Sequence, residues 1–235
     1  MDDHPLASRP AVAPSVGTSV AVFDVDGTLT RRDTLLPFLA LLRGRTAVAR
    51  ALTSQGLPLA AALAGHGSRD AVKQAVLGAL LEGMDAAQVE ATGTAFAGTV
   101  LCELLRPDSL ARLRWHQAKG HQVVLLSASL ADYLEPLGAR LGVDAVLSSR
   151  LEVDAGGKVT GRLLGGNCRG PEKVVRLQTW LAGTTPFVWA YGDSAGDRQL
   201  LSAADRPTLL RRRVRMTEVP NDRDGPDSAP GKEMM

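Results

Sequence analysis

Two aspartates one residue apart, at the end of a short apolar run, constrain this chain more than any other feature. Thr18 to Val22 lead into Phe23-Asp24-Val25-Asp26-Gly27-Thr28-Leu29-Thr30. The run is brief, rich in Val and closed by Gly-Thr, the pattern of a buried parallel strand whose carboxyl end opens into a loop. Asp24 and Asp26 then lie one strand period apart, with Val25 facing back into the core. Two carboxylates this close call for a bound cation or a shared proton. Mg²⁺ is the natural cation, because it takes oxygen ligands and accompanies substrate phosphates.

After Thr30 the pattern turns helical and stays so through Arg106, longer than a simple strand-to-strand connection. Segments Thr34 to Arg43, Thr46 to Gln55, Arg69 to Leu81 and Asp85 to Arg106 are rich in Ala and Leu and are separated by glycines. Asp85 with Gln88 resembles a capping box. These segments read as a helical cap inserted between the first two core strands. Asp108 or Ser109 then caps a helix ending at Gly120, and His121 to Ser127 reads as a second buried strand closing on a hydroxyl. Leu130, Tyr133, Leu134, Leu137 and Leu141 form a helical stripe stopped by Gly142. With the strand Asp144 to Ser148 this makes a βαβ unit, hence a parallel sheet. Leu151 to Leu164 alternates around Asp154-Ala155-Gly156-Gly157 as a hairpin does.

Gly170-Pro171-Glu172-Lys173 opens the next helix, with Pro171 at its first position. Lys173 sits in the first turn, where backbone N–H groups and the helix dipole already favour an anion. Pro186 to Tyr191 is a strand delivering Gly192-Asp193-Ser194-Ala195-Gly196-Asp197, followed by the helix Arg198 to Ala203. Taken singly, Ser127 reads equally as a turn former and the Gly-Asp segment as a capped turn. In series, each stands at a strand end or a helix start.

In that series the chain resembles the haloacid dehalogenase superfamily, in its phosphoserine-phosphatase-like branch. Asp24-Val25-Asp26-Gly27-Thr28 matches its first motif, Ser127 its second, Lys173 its third, and Gly192-Asp193 with Asp197 its fourth. The resemblance implies a Rossmann-like doubly wound parallel α/β sheet with an inserted helical cap. The division would be a flexible N-terminus over 1–17, the core over 18–32 and 107–210, the cap over 33–106 and a polar, disordered tail over 211–235. A short edge strand near Pro207 to Leu210 fits the end of that core.

The same resemblance implies a Mg²⁺-dependent phosphatase acting on a small phosphorylated metabolite through an aspartyl-phosphate. Asp24 would be the nucleophile, Asp26 the general acid and base, and Ser127 and Lys173 the groups that hold the phosphoryl oxygens. Asp24, the backbone carbonyl of Asp26 and Asp193 would hold the metal, supported by Asp197, Gly27 and Thr28. Asp33, nine residues after Asp24, occupies the place of an acid that meets a substrate amino group; its other reading is a helix N-cap. Arg31, Arg32, Arg69 and Lys73 are read as reaching an anionic substrate group from the cap or as a solvated face. Phosphoserine or histidinol phosphate is the substrate type implied. A phosphomutase keeps the same acid, and a non-catalytic module binding a phospho-ligand or a partner would keep the same fold.

Composition narrows the class further. The 27 basic and 25 acidic residues leave a net charge of +2. From Arg206 onward seven basic residues stand against five acidic ones, so the tail holds the whole excess. A balanced body gives no support for a nucleic-acid partner. Cys102 and Cys168 lie far apart, and the four histidines, His4, His66, His116 and His121, form no ligand pattern. Each histidine reads as a surface or helix residue. Residues 1–17 lack the apolar core of a signal peptide, and the apolar stretches fall well short of the ~20 residues that span a bilayer. A cytoplasmic location is the expectation.

Overall fold

The computed structural model describes residues 19–56 and 68–210. The expectations for residues 1–17 and 211–235, including the arginine run 211–215, and those for His4 and His66 lie outside the described residues. Among the described residues no helix is long and apolar enough to cross a membrane.

The strand before the aspartates is β1 (Val20–Phe23), and all of its residues are buried. It lies at the centre of a six-stranded sheet ordered β4-β3-β2-β1-β5-β6, with β2 (Gln122–Leu130), β3 (Ala145–Val153), β4 (Val159–Leu164), β5 (Val188–Gly192) and β6 (Arg206–Leu209). β1 pairs in parallel with β2, from Val20 opposite Gln122 to Phe23 opposite Leu125, and with β5, from Val20 opposite Val188 to Phe23 opposite Tyr191. Only β4 runs antiparallel, as the return strand of the β3–β4 hairpin. Strand alternation divides the apolar side chains between two faces. Ala21, Phe23, Val123, Leu125, Trp189 and Tyr191 enter one cluster, and Val20, Val22, Val124, Leu126, Val188 and Ala190 the other. Helices cover both, as the continuous hydrophobicity of β1 requires. This is the doubly wound Rossmann-like sheet expected.

Helices α1 (Leu35–Arg43), α2 (Arg45–Ser54), α3 (Arg69–Leu81) and α4 (Ala86–Leu104) follow β1, and α5 (Pro107–Ala118) leads into β2. α6 (Ala131–Leu141) joins β2 to β3, while α7 (Pro171–Leu181) and α8 (Arg198–Ala203) flank β5. Two boundaries differ from expectation. α5 begins at Pro107, with Arg106 as its N-cap residue; Ser109 is buried inside the helix and donates to the Thr28 carbonyl at 2.7 Å. β2 continues to Leu130 through a register shift after Ser127, so Leu130 belongs to the strand and not to the helix. A tertiary partner, β3, extends the strand where local periodicity favoured a helix.

The chain leaves and re-enters the sheet side by side. Thr30 and Leu105 form an antiparallel bridge, framed by Arg31 N to Leu104 O at 3.0 Å and Arg106 N to Leu29 O at 2.7 Å. Beyond that neck, Phe38, Leu39, Val76, Leu77 and Phe96 of the intervening helices share one hydrophobic cluster with Phe23, Tyr133 and Leu134. The α3–α4 turn also pairs with β4, Val159 N donating to Met84 O at 2.9 Å.

The closest approach in this packing is at Gly93 of α4. A Cβ there would lie 2.1 Å from the Asp132 carbonyl oxygen and 3.1 Å from Tyr133 N, backbone atoms at the start of α6. Backbone cannot swing aside as a side-chain tip can. Gly93→Ala is therefore expected to lower the unfolding free energy by about 2 kcal/mol, an overpacking cost exceeding the helix-propensity gain. Gly98→Ala in the same helix meets only the flexible end of Arg140, and is expected to stay within about 1 kcal/mol of wild type. Urea unfolding of the two variants side by side makes the comparison.

Candidate active site

The sheet brings the separated motifs to one end. Asp24 follows β1, Ser127 lies late in β2, Asp193 follows β5, and Lys173 opens α7. Because β1 and β5 are neighbours whose connections run to opposite sides of the sheet, a crevice opens beyond their carboxyl ends. A cavity of about 280 Å³ occupies it, lined by Asp24, Asp26, Ser127, Lys173, Asp193 and Asp197 among others.

At its floor Lys173 Nζ donates to Asp24 Oδ1 and to Asp197 Oδ1, both at 2.6 Å. All three residues are buried. Burial, the largest single influence, pulls the lysine down, but Asp24 and Asp197 together outweigh it and hold the ammonium charged above its ordinary value. Burial lifts Asp24 to about 7, Lys173 pulling against it and Asp197 adding to the rise. The lysine is firmly a cation, and one cation is too little for the acids around it. Asp24, Asp193 and Asp197 each bring a carboxylate oxygen within 4.8 Å of the others.

Asp197 is fully occupied, since its Oδ2 also accepts from Ser194 N at 3.1 Å and Ser194 Oγ at 2.8 Å. Asp24 Oδ2 has no hydrogen-bond partner among the described residues. The donor set that remains, carboxylate oxygens of Asp24 and Asp193 in a site short of positive charge, fits a hard divalent cation. Gly27 makes the approach possible. Its φ is +84°, and a Cβ there would lie 2.0 Å from Asp193 Oδ2. Thr28 beside it is fully buried with its carbonyl accepting from Ser109, while its own hydroxyl has no partner among the described residues.

Asp26 does not join that trio through its carboxylate. After Asp24 the chain turns through Val25–Leu29, and the Asp26 carboxylate is gripped elsewhere. Its Oδ1 accepts from Thr34 N at 2.9 Å and Thr34 Oγ1 at 2.6 Å, and its Oδ2 accepts from Ser129 Oγ. Thr34 Oγ1 is in turn 3.1 Å from the Tyr133 hydroxyl, whose ring packs against Phe38 and Phe96. Burial, with the charge of Asp33 adding, lifts Asp26 to about 6 against those hydrogen bonds. The two aspartates of the opening motif thus have separate surroundings. Ser127 Oγ accepts from Ser129 N at 3.1 Å, which leaves its hydroxyl proton for another acceptor.

Thr34, Ser129 and Tyr133 were not singled out as site residues by sequence. Ser127-Ala128-Ser129 did carry one usable signal, two hydroxyls one strand period apart. Of the cations named, Arg31 and Arg32 line the cavity and Lys73 does not. Lys73 Nζ donates to the Ala128 carbonyl and, at 2.7 Å, to Asn167 Oδ1. Burial lowers it to about 8. Asn167 Nδ2 donates to Asp70 Oδ1 at 2.7 Å, so the pair ties α3 to the loop before α7. Asp33 Oδ1 accepts from Leu36 N at 3.1 Å, which fits the capping reading, and the residue also lines the cavity.

With this geometry stands the match to known proteins. Residues 21–202 match the family model of haloacid dehalogenase-like hydrolases, and the chain belongs to that family. It is 35% identical over 200 residues to the protein CicA of Caulobacter vibrioides, covering 85% of this chain and 89% of CicA. In fold it is similar to a protein of unknown function from Bordetella pertussis Tohama I, with TM-score 0.65, 24% identity and coverage of 83% and 90% of the two chains. It is similar also to a substrate-bound phosphoserine phosphatase, with TM-score 0.56, 17% identity and coverage of 81% and 84%. The family agrees with the order of the motifs, and the likeness to phosphoserine phosphatase is one of fold.

Behind the site, His116 is a helix residue, one of the two readings expected, and the helix turns it inward. It is fully buried, with Nε2 2.8 Å from the Tyr191 hydroxyl and Nδ1 2.8 Å from His121 Nδ1. Tyr191 stacks on Phe23 at 4.5 Å and its carbonyl accepts from Asp24 N at 2.9 Å, so the histidine braces the strand pair that carries the site. Burial first, then His121 and Arg112, hold its pKa down at about 3. Below the ordinary value of 6.5 the unfolded chain protonates His116 and the folded chain does not. Stability from this group is therefore constant above that value and falls as pH drops toward 3. Relative to His116→Gln, wild type is expected to lose about 1.4 kcal/mol of unfolding free energy per pH unit between roughly pH 6 and 4. The raised carboxyls are common to both proteins and cancel. A pH-independent difference in urea unfolding would mean that the fold accepts the protonated ring.

Proposed function

We propose that the protein is a Mg²⁺-dependent phosphomonoester hydrolase that acts on a small phosphorylated metabolite through an aspartyl-phosphate, with the helices over 33–106 serving as a substrate-selecting cap. The observation that carries this reading is the separate fixing of two carboxylates at one cavity. Asp24 is held on Lys173 with its second oxygen unbonded, while Asp26 is held by Thr34 and Ser129 and lifted to about 6.

In the first step Asp24 attacks phosphorus, the bond from phosphorus to the leaving oxygen breaks, and Asp26 gives that oxygen its proton. In the second, Asp26 takes a proton from water as the water attacks phosphorus, the aspartyl–phosphorus bond breaks, and inorganic phosphate leaves. A carboxyl lifted to about 6 suits a group that must donate and then accept near neutral pH. Thr34 and Ser129 keep its oxygens aimed throughout. Lys173 and the Ser127 hydroxyl meet the phosphoryl oxygens. Asp24, the Asp26 carbonyl and Asp193 would hold Mg²⁺, which when bound offsets the repulsion between carboxylate and phosphate. Asp197 keeps Lys173 in place. A cavity of about 280 Å³ lies at the lower end of ligand-site sizes, which favours a small substrate.

Free phosphate released from a panel of small phosphomonoesters tests the reading. Release with Mg²⁺, its loss in EDTA, and a fall of about three orders of magnitude or more in Asp24→Asn are expected. Asp26→Asn is expected to cost about 10²–10⁴-fold on alkyl phosphates, the range of general acid–base catalysis. A folded protein that releases phosphate from no compound, or equally well after Asp24→Asn, would contradict it.

A further inference from the structure

The strand that carries Ser127 loses its ladder just where the site needs it held. β2 pairs with β3 from Val124 opposite Ala145 to Ser127 opposite Ser148, and the next pair is Leu130 opposite Ser149. Ala128 and Ser129 fall in the register shift between those pairs, beyond the last residue that β2 pairs with β1. Strand pairing therefore does not fix the peptide group that joins them. Two side chains hold it instead. Its carbonyl, on Ala128, accepts from Lys73 Nζ, and its N–H, on Ser129, donates to Ser127 Oγ at 3.1 Å. Ser127 and Ala128 line the cavity, whereas Lys73, on α3, does not.

Lys73 is itself fixed from the core side. Nζ also donates to Asn167 Oδ1 at 2.7 Å, and the same oxygen accepts from Ser149 Oγ at 2.9 Å. Asn167 Nδ2 donates to Asp70 Oδ1 at 2.7 Å, so the amide cannot turn over without breaking these bonds. The ammonium is thereby kept on the Ala128 carbonyl. A serine hydroxyl carries one proton and can also accept. With the Ser129 N–H taking up the accepting side of Ser127 Oγ, the proton is left for an acceptor in the cavity. A flip of the same peptide would turn its carbonyl toward Ser127 and claim that proton. A cation on the carbonyl opposes the flip and, by polarising the peptide, strengthens its N–H as a donor.

We propose that Lys73 is a positioning residue of the reaction: by holding the Ala128 carbonyl it keeps the Ser127 hydroxyl directed at the phosphoryl group, without touching substrate itself. This rests on the phosphohydrolase reading. It gives the helical insertion a part in the phosphate chemistry separate from any choice of substrate. A lysine that only tied α3 to the core would affect stability alone, and one that met the substrate would act on KM.

A double-mutant cycle on Lys73 and Ser127, read as kcat and KM for p-nitrophenyl phosphate with Mg²⁺, separates these roles. Lys73→Met is expected to lower kcat about tenfold or more, the scale of one hydrogen bond to a charged group, with KM changed by less than about threefold. In Ser127→Ala protein there is no hydroxyl to direct, and the same substitution is expected to change kcat by less than about threefold. An equal fall in both backgrounds, a rise in KM at unchanged kcat, or no change in either constant would overturn the proposal and leave the hydrolase reading standing. Should Lys73→Met not fold, Lys73→Gln, polar and one atom shorter, enters the cycle with the same expectations. If wild type releases phosphate from no compound, the hydrolase reading fails, and calorimetric binding of inorganic phosphate with Mg²⁺ carries the cycle in its place. Binding about tenfold weaker in Lys73→Met and in Ser127→Ala, with no further loss in the double variant, supports the positioning role. Additive losses, undiminished binding in Lys73→Met, or no phosphate binding by wild type overturn it.

Discussion

One ammonium shared by two buried carboxylates fixes the rest of the site. Lys173 reaches Asp24 and Asp197 at 2.6 Å each, and these three residues come from the start of α7, the end of β1 where the chain leaves the sheet, and the turn after β5. Their mutual distances hold only if the sheet order, the turn into α7 and the Ser194–Asp197 turn are all correct. A buried pair adds little net stability after desolvation, yet removing one partner costs about 3–5 kcal/mol because the other is left unpaired. The interaction is better understood as a constraint on geometry than as a source of stability. It aims Asp24 and leaves its second oxygen without a hydrogen-bond partner.

The two aspartates of the opening motif show how one turn of chain separates two chemical environments. Asp24 stays with the sheet and its cationic neighbour. Asp26, beyond a turn that only glycine at position 27 permits against Asp193, faces the helical side, where Thr34 and Ser129 hold it. Thr34 depends on Tyr133, and Tyr133 on Phe38 and Phe96. The helices between β1 and β2 are thus linked to the Asp26 side of the site through the same cluster that packs them on the sheet.

Much of this was legible in the sequence because the core motifs are local. A Val-rich run ending in Asp24, a proline at the first position of α7, and a strand ending at Asp193 each declare their place within a few residues. The parallel pairing of β2 with β3 follows from the helix between them, and the hairpin from its Asp-Ala-Gly-Gly turn. What escaped depends on distant partners. Leu130 reads as helix from its stripe, and pairing with β3 makes it strand. His116 reads as a surface or helix residue; it is in a helix, and its burial against Tyr191, far away in sequence, is what the sequence did not show. Lys73 reads as a substrate-facing cation or as part of a solvated face, and Ala128 with Asn167 hold it in neither place. The roles of Thr34 and Ser129 rest on contacts with Asp26 that only the fold creates.

The most direct test of the central idea, that Asp24 is aimed to carry a phosphoryl group, is mass spectrometry of the protein acid-quenched during steady turnover. A peptide containing Asp24 should gain the mass of one phosphoryl group, discharged when substrate is exhausted and absent in Asp24→Asn. Turnover without any such adduct, or with the phosphoryl group on a different residue, would contradict the account.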